Sequence, residues 1–153
     1  GEVPTDPMPM EASDLMVILK DKEEWTSAKT FDELAEKMGI QLIELSAERA
    51  VATMPVTGNT QPLGVLHGGA YLVLGETLGS MAANVWGFPE KFAVGIEINA
   101  SHSRSATRGV VTGTATAIQL GKTLTVHEIR IVDEEGALLS TVRITNLLRL
   151  RGK

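Results

Sequence analysis

One carboxylate stands alone in a long apolar stretch of this chain. Residues 68–89 read GGAYLVLGETLGSMAANVWGFP, and Glu76 is the only acidic or basic residue among them. A carboxylate that is buried without a partner is strongly destabilising, so its presence here needs an explanation. The first interpretation is a catalytic carboxylate, which can act as a nucleophile or as a base for water. The alternative is a buried glutamate that pairs with an arginine or a lysine.

The neighbours of Glu76 along the predicted helix are also of types that serve chemistry. Ser80 follows Glu76 by four residues, which places its hydroxyl one helical turn from the carboxylate. Gly68 and Gly69 come directly after His67, where the helix begins. The first amides of a helix lack intrahelical acceptors and lie at the positive end of its dipole, so they can stabilise an oxyanion. The simpler interpretation is a tight turn that needs glycine for a positive φ.

Metal and serine-nucleophile chemistry are not indicated. The chain has three histidines, His67, His102 and His127, and no cysteine. The histidines do not show a metal-ligand spacing such as HExxH, so we expect no metal. No serine stands in a GxSxG sequence, which argues against the nucleophile of the α/β-hydrolases. Without cysteine the chain has neither disulfides nor a thiol nucleophile.

Composition indicates the class of protein. The chain has 153 residues, of which 43% are apolar and 22% charged, as is typical of one globular domain with a core. The net charge of −5 argues against a general role in nucleic-acid binding. The most apolar window, residues 63–85, contains His67, Glu76 and several glycines, so we expect no membrane span. The absence of cysteine and of a signal peptide fits the cytoplasm.

The start of the chain differs from the rest. Residues 1–10 hold three prolines and are expected to form a mobile tail, and residues 11–28 favour a helix. We therefore divide the chain into an N-terminal extension, residues 1–28, and a main domain, residues 29–153. The main domain opens with the sequence TFDE, a capping box for the short helix FDELAEKM.

The main domain is predicted to hold two strands, one long helix and four further strands. The six strands are GIQLIELSA, RAVATMPV, FAVGIEINASHS, GVVTGTATAIQL, KTLTVHEIRIVD and ALLSTVRITNLLRL. In the third of them Ala93, Gly95, Glu97 and Asn99 alternate with Val94, Ile96 and Ile98. One long helix and about six strands predict an antiparallel sheet wrapped around that helix, an α+β architecture.

The long helix is predicted over residues 66–86, and Gly87 and Pro89 end it. Glycine within a helix costs about 1 kcal/mol relative to alanine, so Gly75 and Gly79 predict that another backbone approaches closely there. The helix is apolar on more sides than one sheet covers, and we expect a second copy of the chain to cover the rest. Its apolar row at three- and four-residue spacing is Ala70, Leu74, Thr77, Leu78, Met81 and Val85.

Two strings of the sequence resemble those of the hotdog-fold acyl-CoA thioesterases. The first is QPLGVLHGGA at residues 61–70, followed by ETLGS at residues 76–80. It resembles the branch that carries a Glu or Asp on the central helix, which includes the 4-hydroxybenzoyl-CoA thioesterases. The second, VGIEINASHSRSA at residues 94–106, is most similar to the 1,4-dihydroxy-2-naphthoyl-CoA thioesterases of menaquinone synthesis and the proofreading thioesterases of the enterobactin pathway. The resemblance covers residues 40–148 and implies the hotdog fold, an antiparallel sheet around one long central helix.

The resemblance implies a role for each candidate site residue. Glu76 is the nucleophile or the base for water, and Gly68 donates its amide to the thioester oxygen. Gln61 reaches the same carbonyl from the other side, His67 places the thioester or the leaving sulfur, and Ser80 holds the water or orients the carboxylate. The residues implied for binding of substrate and CoA are Gly69, His102, Arg104, Ser105, Gly121, Lys122 and Thr123.

The implied activity is hydrolysis of an acyl-CoA thioester, with an aromatic acyl group favoured and no cofactor. The resemblance also implies a homo-oligomer, a dimer or a dimer of dimers, that joins sheets through the strand near residues 92–101 and has its active sites at the seam. Two alternatives are a hotdog acyl-CoA hydratase or dehydratase and a non-catalytic acyl-CoA binding module. Release of free thiol from an acyl-CoA distinguishes the thioesterase from both.

Overall fold

The structure, a computed structural model, describes residues 31–152. Residues 35–153 form one compact unit. The tail and helix predicted within residues 1–28, and the domain boundary at residue 29, lie outside the described residues. The elements are α1 (Phe31–Lys37), β1 (Gln41–Leu45), β2 (Arg49–Pro55), α2 (Gly68–Gly87), β3 (Lys91–His102), β4 (Val110–Leu120), β5 (Leu124–Val132) and β6 (Leu138–Leu150).

The six strands form one antiparallel sheet in the order β1-β2-β4-β5-β6-β3. Helix α2 packs against five of them, β2 to β6. The core lies between helix and sheet, where residues such as Leu74, Leu78, Ile129 and Val142 are buried. This confirms the predicted α+β fold of six strands around one long helix. Strand β3 lies at an edge of the sheet, because its only partner among residues 31–152 is β6.

Helix α2 begins two residues later than predicted. The amide of Leu66 donates to Ala106 O (2.7 Å) and that of His67 to Asn59 O (2.9 Å), so both residues bond to neighbouring segments. His67 is the N-cap, with an extended backbone at φ −65° and ψ 134°. A residue with extended dihedrals cannot continue a helix, which is why the helix starts at Gly68.

The two helical glycines allow the close approach that was predicted. A Cβ atom built on Gly75 would lie 2.6 Å from Cγ1 of Val142, and one built on Gly79 would overlap Cγ2 of Ile144. The groups that approach are therefore β-branched side chains of β6 rather than another backbone. Any side chain at these two positions would push the helix off the sheet.

The predicted apolar row of α2 is divided between two environments. Ala70, Leu74 and Leu78 are buried against the sheet, whereas Thr77 is only half-buried. Val85 is 42% exposed. The sheet covers one side of the helix and leaves the side with Thr77 open. This open side is where a second copy of the chain was expected.

Strand β3 departs from the predicted alternation because it contains a β-bulge between Gly95 and Glu97. Gly95 faces helix α2, but after the bulge Ile98 packs against the core. Glu97 is exposed, where it accepts a hydrogen bond from Thr145 Oγ1 (3.4 Å). The prediction that Gly95 and Glu97 share one face is therefore wrong. One extra residue in a strand changes the face to which the following side chains point.

The third histidine is part of the fold. His127 on β5 is fully buried, and its Nε2 bonds to Ala47 O at 2.8 Å. The buried Nδ1 has no hydrogen-bond partner. Burial lowers the pKa of His127, and the bond to the Ala47 carbonyl opposes part of that effect. The imidazole is therefore held neutral, with its proton on Nε2.

A stability loss at mildly acidic pH follows from His127. The unfolded chain has an ordinary histidine pKa of about 6.5, so it binds more protons than the folded chain below that pH. The free energy of unfolding is therefore expected to fall as the pH drops through about 6.5 toward 5. His127→Gln keeps an amide donor for Ala47 but does not titrate, and urea unfolding at three pH values should show a shallower dependence. Parallel curves for the two proteins would contradict this assignment.

Candidate active site

The lone carboxylate lies on the half-open side of helix α2. Glu76 and Ser80 are both half-buried, and the Ser80 hydroxyl donates to Glu76 Oε1 at 2.9 Å. No lysine or arginine of residues 31–152 forms an ion pair with Glu76. This excludes, for the described part of the chain, the alternative of a glutamate paired with a cation. The carboxylate is held by a neutral hydroxyl and keeps an open side.

Two residues of the sheet lie beneath this pair. A Cβ atom built on Gly95 would lie 3.0 Å from Glu76 Oε1, so the carboxylate rests against the bare backbone of β3. Asn146, the register partner of Gly95 on β6, is fully buried. Its Oδ1 lies 3.4 Å from Ser80 Oγ. The floor of this part of the site is therefore a glycine and an amide.

The start of helix α2 presents one unused amide. Nδ1 of His67 accepts from the amide of Gly69 (2.8 Å), and the His67 carbonyl accepts from the amide of Ala70 (2.9 Å). The amide of Gly68 has no acceptor among the described residues. It lies at the positive end of the helix dipole, and an anion or a developing oxyanion would be stabilised there. Because Nδ1 accepts a hydrogen bond, the proton of a neutral His67 is on Nε2.

His102, at the end of β3, lies against this helix start. A Cβ atom built on Gly68 would be 3.0 Å from His102 Nε2. Nδ1 of His102 bonds to Ser140 Oγ (2.9 Å), and its ring lies 5.0 Å from the ring of Tyr71, tilted by 34°. Ser140 Oγ in turn donates to Ser101 O (3.3 Å), so it must accept a hydrogen bond from Nδ1 of His102. The proton of a neutral His102 is therefore on Nδ1, and the lone pair of its Nε2 points toward Gly68.

The charge state of His102 follows from its surroundings. Although part of the residue is exposed, burial of the ring lowers its pKa, and the nearby His67 lowers it further. At neutral pH His102 is therefore uncharged, and its Nε2 lies beside Gly68. Tyr71 is buried, and burial raises the pKa of its phenol.

The loop before α2 carries Gln61. The amide of Gln61 donates to Val65 O (2.9 Å), and its carbonyl accepts from the amide of Gly64 (2.9 Å), which closes a short turn. Its side-chain amide is half-buried and has no hydrogen-bond partner among residues 31–152. A partially buried amide with free donors can bind a carbonyl oxygen.

The residues implied for CoA binding lie at two ends of the molecule. Arg104 and Ser105 are exposed in the segment after β3, near the start of α2. The turn of Gly121, Lys122 and Thr123 lies at the other end of α2. There Gly121 O accepts from the indole of Trp86 (2.9 Å), and a cavity of about 330 Å³ opens between the turn and the helix end. Within one chain these two groups do not come together.

The two halves of the predicted chemistry are also apart within one chain. Gly68 and Glu76 are on the same helix, and eight residues at 1.5 Å per residue separate them by about 12 Å. An oxyanion donor and the group that attacks the same carbonyl must both lie within about 3 Å of the reacting atoms. One chain therefore presents two half-sites: Gly68, His67 and His102 form the first, and Glu76 and Ser80 the second.

Sequence reasoning did not identify Gly95, Asn146 and Ser140 as neighbours of the site. Gly95 was recognised only as part of an alternating strand, and a glycine inside a strand is a signal that another group approaches closely. Asn146 stands in the apolar run ITNLL, where an amide on the core side is unusual. The contact of Gly95 with Glu76, and the position of Asn146 opposite Gly95, depend on the pairing of β3 with β6, which no local pattern shows.

Comparisons with known proteins show the family to which the chain belongs. The model of the thioesterase superfamily matches residues 63–140. The chain is 40% identical over 121 residues to the 1,4-dihydroxy-2-naphthoyl-CoA hydrolase of Listeria monocytogenes, covering 78% of this chain and 98% of that one. It is 41% identical over 120 residues to the proofreading thioesterase EntH of Cronobacter turicensis, covering 78% and 88%.

A solved structure shows the same fold. The crystal structure of a thioesterase from Haemophilus influenzae has a TM-score of 0.73 and 36% identity, and the match covers 82% of this chain and 94% of that one. The family predicted from residues 61–70 and 94–106 is thereby confirmed, as is its wrapped antiparallel sheet. The chain belongs to the thioesterase superfamily.

Proposed function

We propose that this protein hydrolyses an acyl-CoA thioester, with an aromatic acyl group favoured. The observation that carries the proposal is the half-open Glu76 carboxylate, held by Ser80 and without a cation among the described residues. The unused Gly68 amide supports it from the other half-site. The aromatic preference is supported by the resemblance of residues 94–106 and by the naphthoyl-CoA named for the Listeria relative.

The chemistry needs no cofactor. The amide of Gly68 and the side-chain amide of Gln61 polarise the thioester carbonyl and stabilise the negative charge on its oxygen. Glu76 attacks the carbonyl carbon or takes a proton from a water that attacks it. The carbon–sulfur bond then breaks, and CoA leaves as a thiolate that gains a proton. On the nucleophilic route, water then hydrolyses the anhydride formed with Glu76, which releases the acid and regenerates the carboxylate. His67 places the thioester or the leaving sulfur, and Ser80 orients the carboxylate.

A second copy of the chain completes each site in this proposal. Glu76 lies against Gly95, and Gly68 lies against His102, so both half-sites adjoin the edge strand β3. If two β3 strands pair antiparallel about a two-fold axis between Ile98 and Asn99, position 95 of one chain faces position 102 of the other. The Gly68 amide of one copy then comes to the Glu76 carboxylate of the other.

The surface of β3 supports such a pairing. Within residues 31–152 the outer edge of β3 has no partner strand, and Val94 and Ile96 are 39% and 54% exposed. An exposed apolar edge strand is a template for pairing with another chain. The same pairing would join residues 121–123 of one copy to Arg104 and Ser105 of the other, since these groups lie at opposite ends of α2. This supports a CoA site built from two chains, in a dimer or a dimer of dimers.

Neither of the two helices within residues 31–152 is long and apolar enough to cross a bilayer. The cytoplasmic location and the absence of a nucleic-acid partner stay predictions.

The substrate class can be tested with a panel of CoA esters. We expect release of free thiol from 1,4-dihydroxy-2-naphthoyl-, benzoyl-, 4-hydroxybenzoyl- or phenylacetyl-CoA, with kcat/KM at least about tenfold above that for hexanoyl-CoA. One to three kcal/mol of pocket selectivity corresponds to such a ratio or a larger one. A thiol-reactive dye reports the release, and crotonyl-CoA tests for hydration in the same plate.

Two results would contradict the proposal. Loss of crotonyl-CoA absorbance without thiol release would indicate a hydratase. Thermal stabilisation by CoA esters with no thiol release from any of them would indicate a binding module. A faster reaction with hexanoyl-CoA than with every aromatic ester would retain the thioesterase but overturn the aromatic preference.

A further inference from the structure

We infer that Asn146 is a positioning residue that directs the Ser80 hydroxyl toward the Glu76 carboxylate. This inference rests on the proposed function, because it concerns the same carboxylate. Asn146 lies on β6 beneath helix α2 and is completely buried, with 0% of its surface exposed. It can therefore act on the reaction only through the residues that it touches.

The Ser80 hydroxyl has one proton and two neighbouring acceptors. Glu76 Oε1 lies at 2.9 Å and Asn146 Oδ1 at 3.4 Å. A carboxylate is the stronger acceptor, since hydrogen bonds to charged groups are shorter and stronger than neutral ones. The proton therefore goes to Glu76. When the serine proton points to Glu76, Asn146 Oδ1 faces Ser80 Oγ with no proton between them. This fits the distance of 3.4 Å between these two oxygens, which is longer than the 2.9 Å from Ser80 Oγ to Glu76 Oε1.

The other end of the amide is also unsatisfied. Asn146 Nδ2 is buried and has no hydrogen-bond partner among the described residues. A buried donor without an acceptor costs about 1–3 kcal/mol. A half-turn of the amide exchanges its oxygen and nitrogen, so that Nδ2 donates to Ser80 Oγ. The serine then accepts from Asn146 and donates to Glu76, and its proton has one direction only.

A second buried group without a partner, the hydroxyl of Thr125, lies where the turned amide needs a donor. Thr125 on β5 is the register partner of Asn146, is fully buried, and its Oγ1 has no hydrogen-bond partner. Residues directly opposite in antiparallel strands point to the same face, with Cβ atoms about 5 Å apart. Thr125 can therefore donate to Asn146 Oδ1. The result is a chain of donors from Thr125 through Asn146 and Ser80 to Glu76.

Gly95 makes the arrangement possible. A Cβ atom at this position would lie 3.0 Å from Glu76 Oε1 and 3.7 Å from Asn146 Oδ1. The glycine thus leaves the space in which the carboxylate and the amide come within reach of one serine. The geometry fixes the carboxylate from the sheet side and leaves its other side for the substrate.

The test is a double-mutant cycle on the best CoA ester of the wild-type protein. Asn146→Leu keeps the branched shape of the side chain but removes donor and acceptor, and Ser80→Ala removes the link. We expect Asn146→Leu to lower kcat about tenfold with KM changed less than about twofold. Added to Ser80→Ala, it should lower kcat by less than about twofold more, because residues that act through one another are not additive. Val111→Ala, in the core on β4, is the control for a loss of stability alone.

The outcomes separate the possible roles. Multiplicative losses in the double variant, a change confined to KM, or an equal loss of kcat in Val111→Ala at matched loss of Tm would overturn the inference. If Asn146→Leu does not fold, Thr125→Val serves instead: it should lower kcat about threefold alone and have no effect in the Ser80→Ala background. An effect of Thr125→Val that persists in that background would also overturn the inference.

Failure of this inference differs from failure of the proposed function. If the wild-type protein releases no thiol from any CoA ester, the proposed function is wrong. If the wild-type protein hydrolyses an ester and Asn146→Leu does so at the same kcat, only the role of Asn146 is wrong.

Discussion

Replacement of Glu76 by glutamine is expected to lower kcat for an aromatic acyl-CoA by at least about 10³-fold, or ~4 kcal/mol of activation free energy. Glutamine keeps the size of the side chain and can still accept from Ser80, so the site stays assembled. It is neither a nucleophile for a thioester nor a base for water. A thiol-release assay at saturating substrate measures the effect.

Glu128→Gln is a matched control for this variant. Glu128 is a half-buried carboxylate on β5, outside both half-sites. Its replacement should leave kcat within about twofold of the wild type. Retained activity of Glu76→Gln, with an unchanged far-UV spectrum and Tm, would show that another group carries the reaction.

The second expectation concerns the Gly68 amide and the second copy of the chain. Gly68→Pro removes the N–H, and loss of one oxyanion donor typically costs about 10²–10³ in kcat. Proline is tolerated at the first position of a helix, and the extended backbone of His67 suits the residue before a proline. Gly68→Ala adds the same Cβ atom beside His102 but keeps the amide, so it isolates the effect of the N–H.

Mixing the two inactive variants tests whether the sites are shared. Glu76→Gln and Gly68→Pro chains refolded together in equal amounts form mixed pairs in half of the cases. Each mixed pair has one site with an intact Gly68 from one chain and an intact Glu76 from the other. We expect recovery of about a quarter of the wild-type activity. No recovery is expected from either variant refolded alone, because every site then lacks the same group.

An absence of recovery in the mixture would contradict the shared site, provided that size-exclusion chromatography with two different tags shows mixed oligomers. A monomeric wild-type protein with full activity would contradict it as well.

Local spacing was enough to predict part of the site. The i, i+4 relation of Glu76 and Ser80 predicted that the hydroxyl lies one turn from the carboxylate, where the two form a hydrogen bond. Gly75 and Gly79 predicted a close approach, although side chains of β6 make it rather than another backbone. Both follow from helix geometry alone. The start of the helix was predicted two residues early, because the amide of Leu66 bonds to Ala106, forty residues later in the chain.

The rest of the site depends on strand pairing. Gly95 and Asn146 are more than fifty residues apart and meet because β3 pairs with β6 at the register that places them opposite each other. The bulge after Gly95 decides that Ile98, and not Glu97, faces the core. Neither the register nor the bulge leaves a mark in the alternation of a single strand, since any shift by one residue exchanges its two faces.

The two glycines of helix α2 have a consequence for how substrate preference can change. Gly75 and Gly79 flank Glu76 in sequence and lock the helix at a fixed height on β6. Val73 and Thr77 lie on the opposite side of the same helix, where no such contact constrains their size. Substitutions at Val73 or Thr77 therefore leave the contact of the helix with β6, and with it the position of Glu76, unchanged. The scaffold separates what the protein selects from how it reacts.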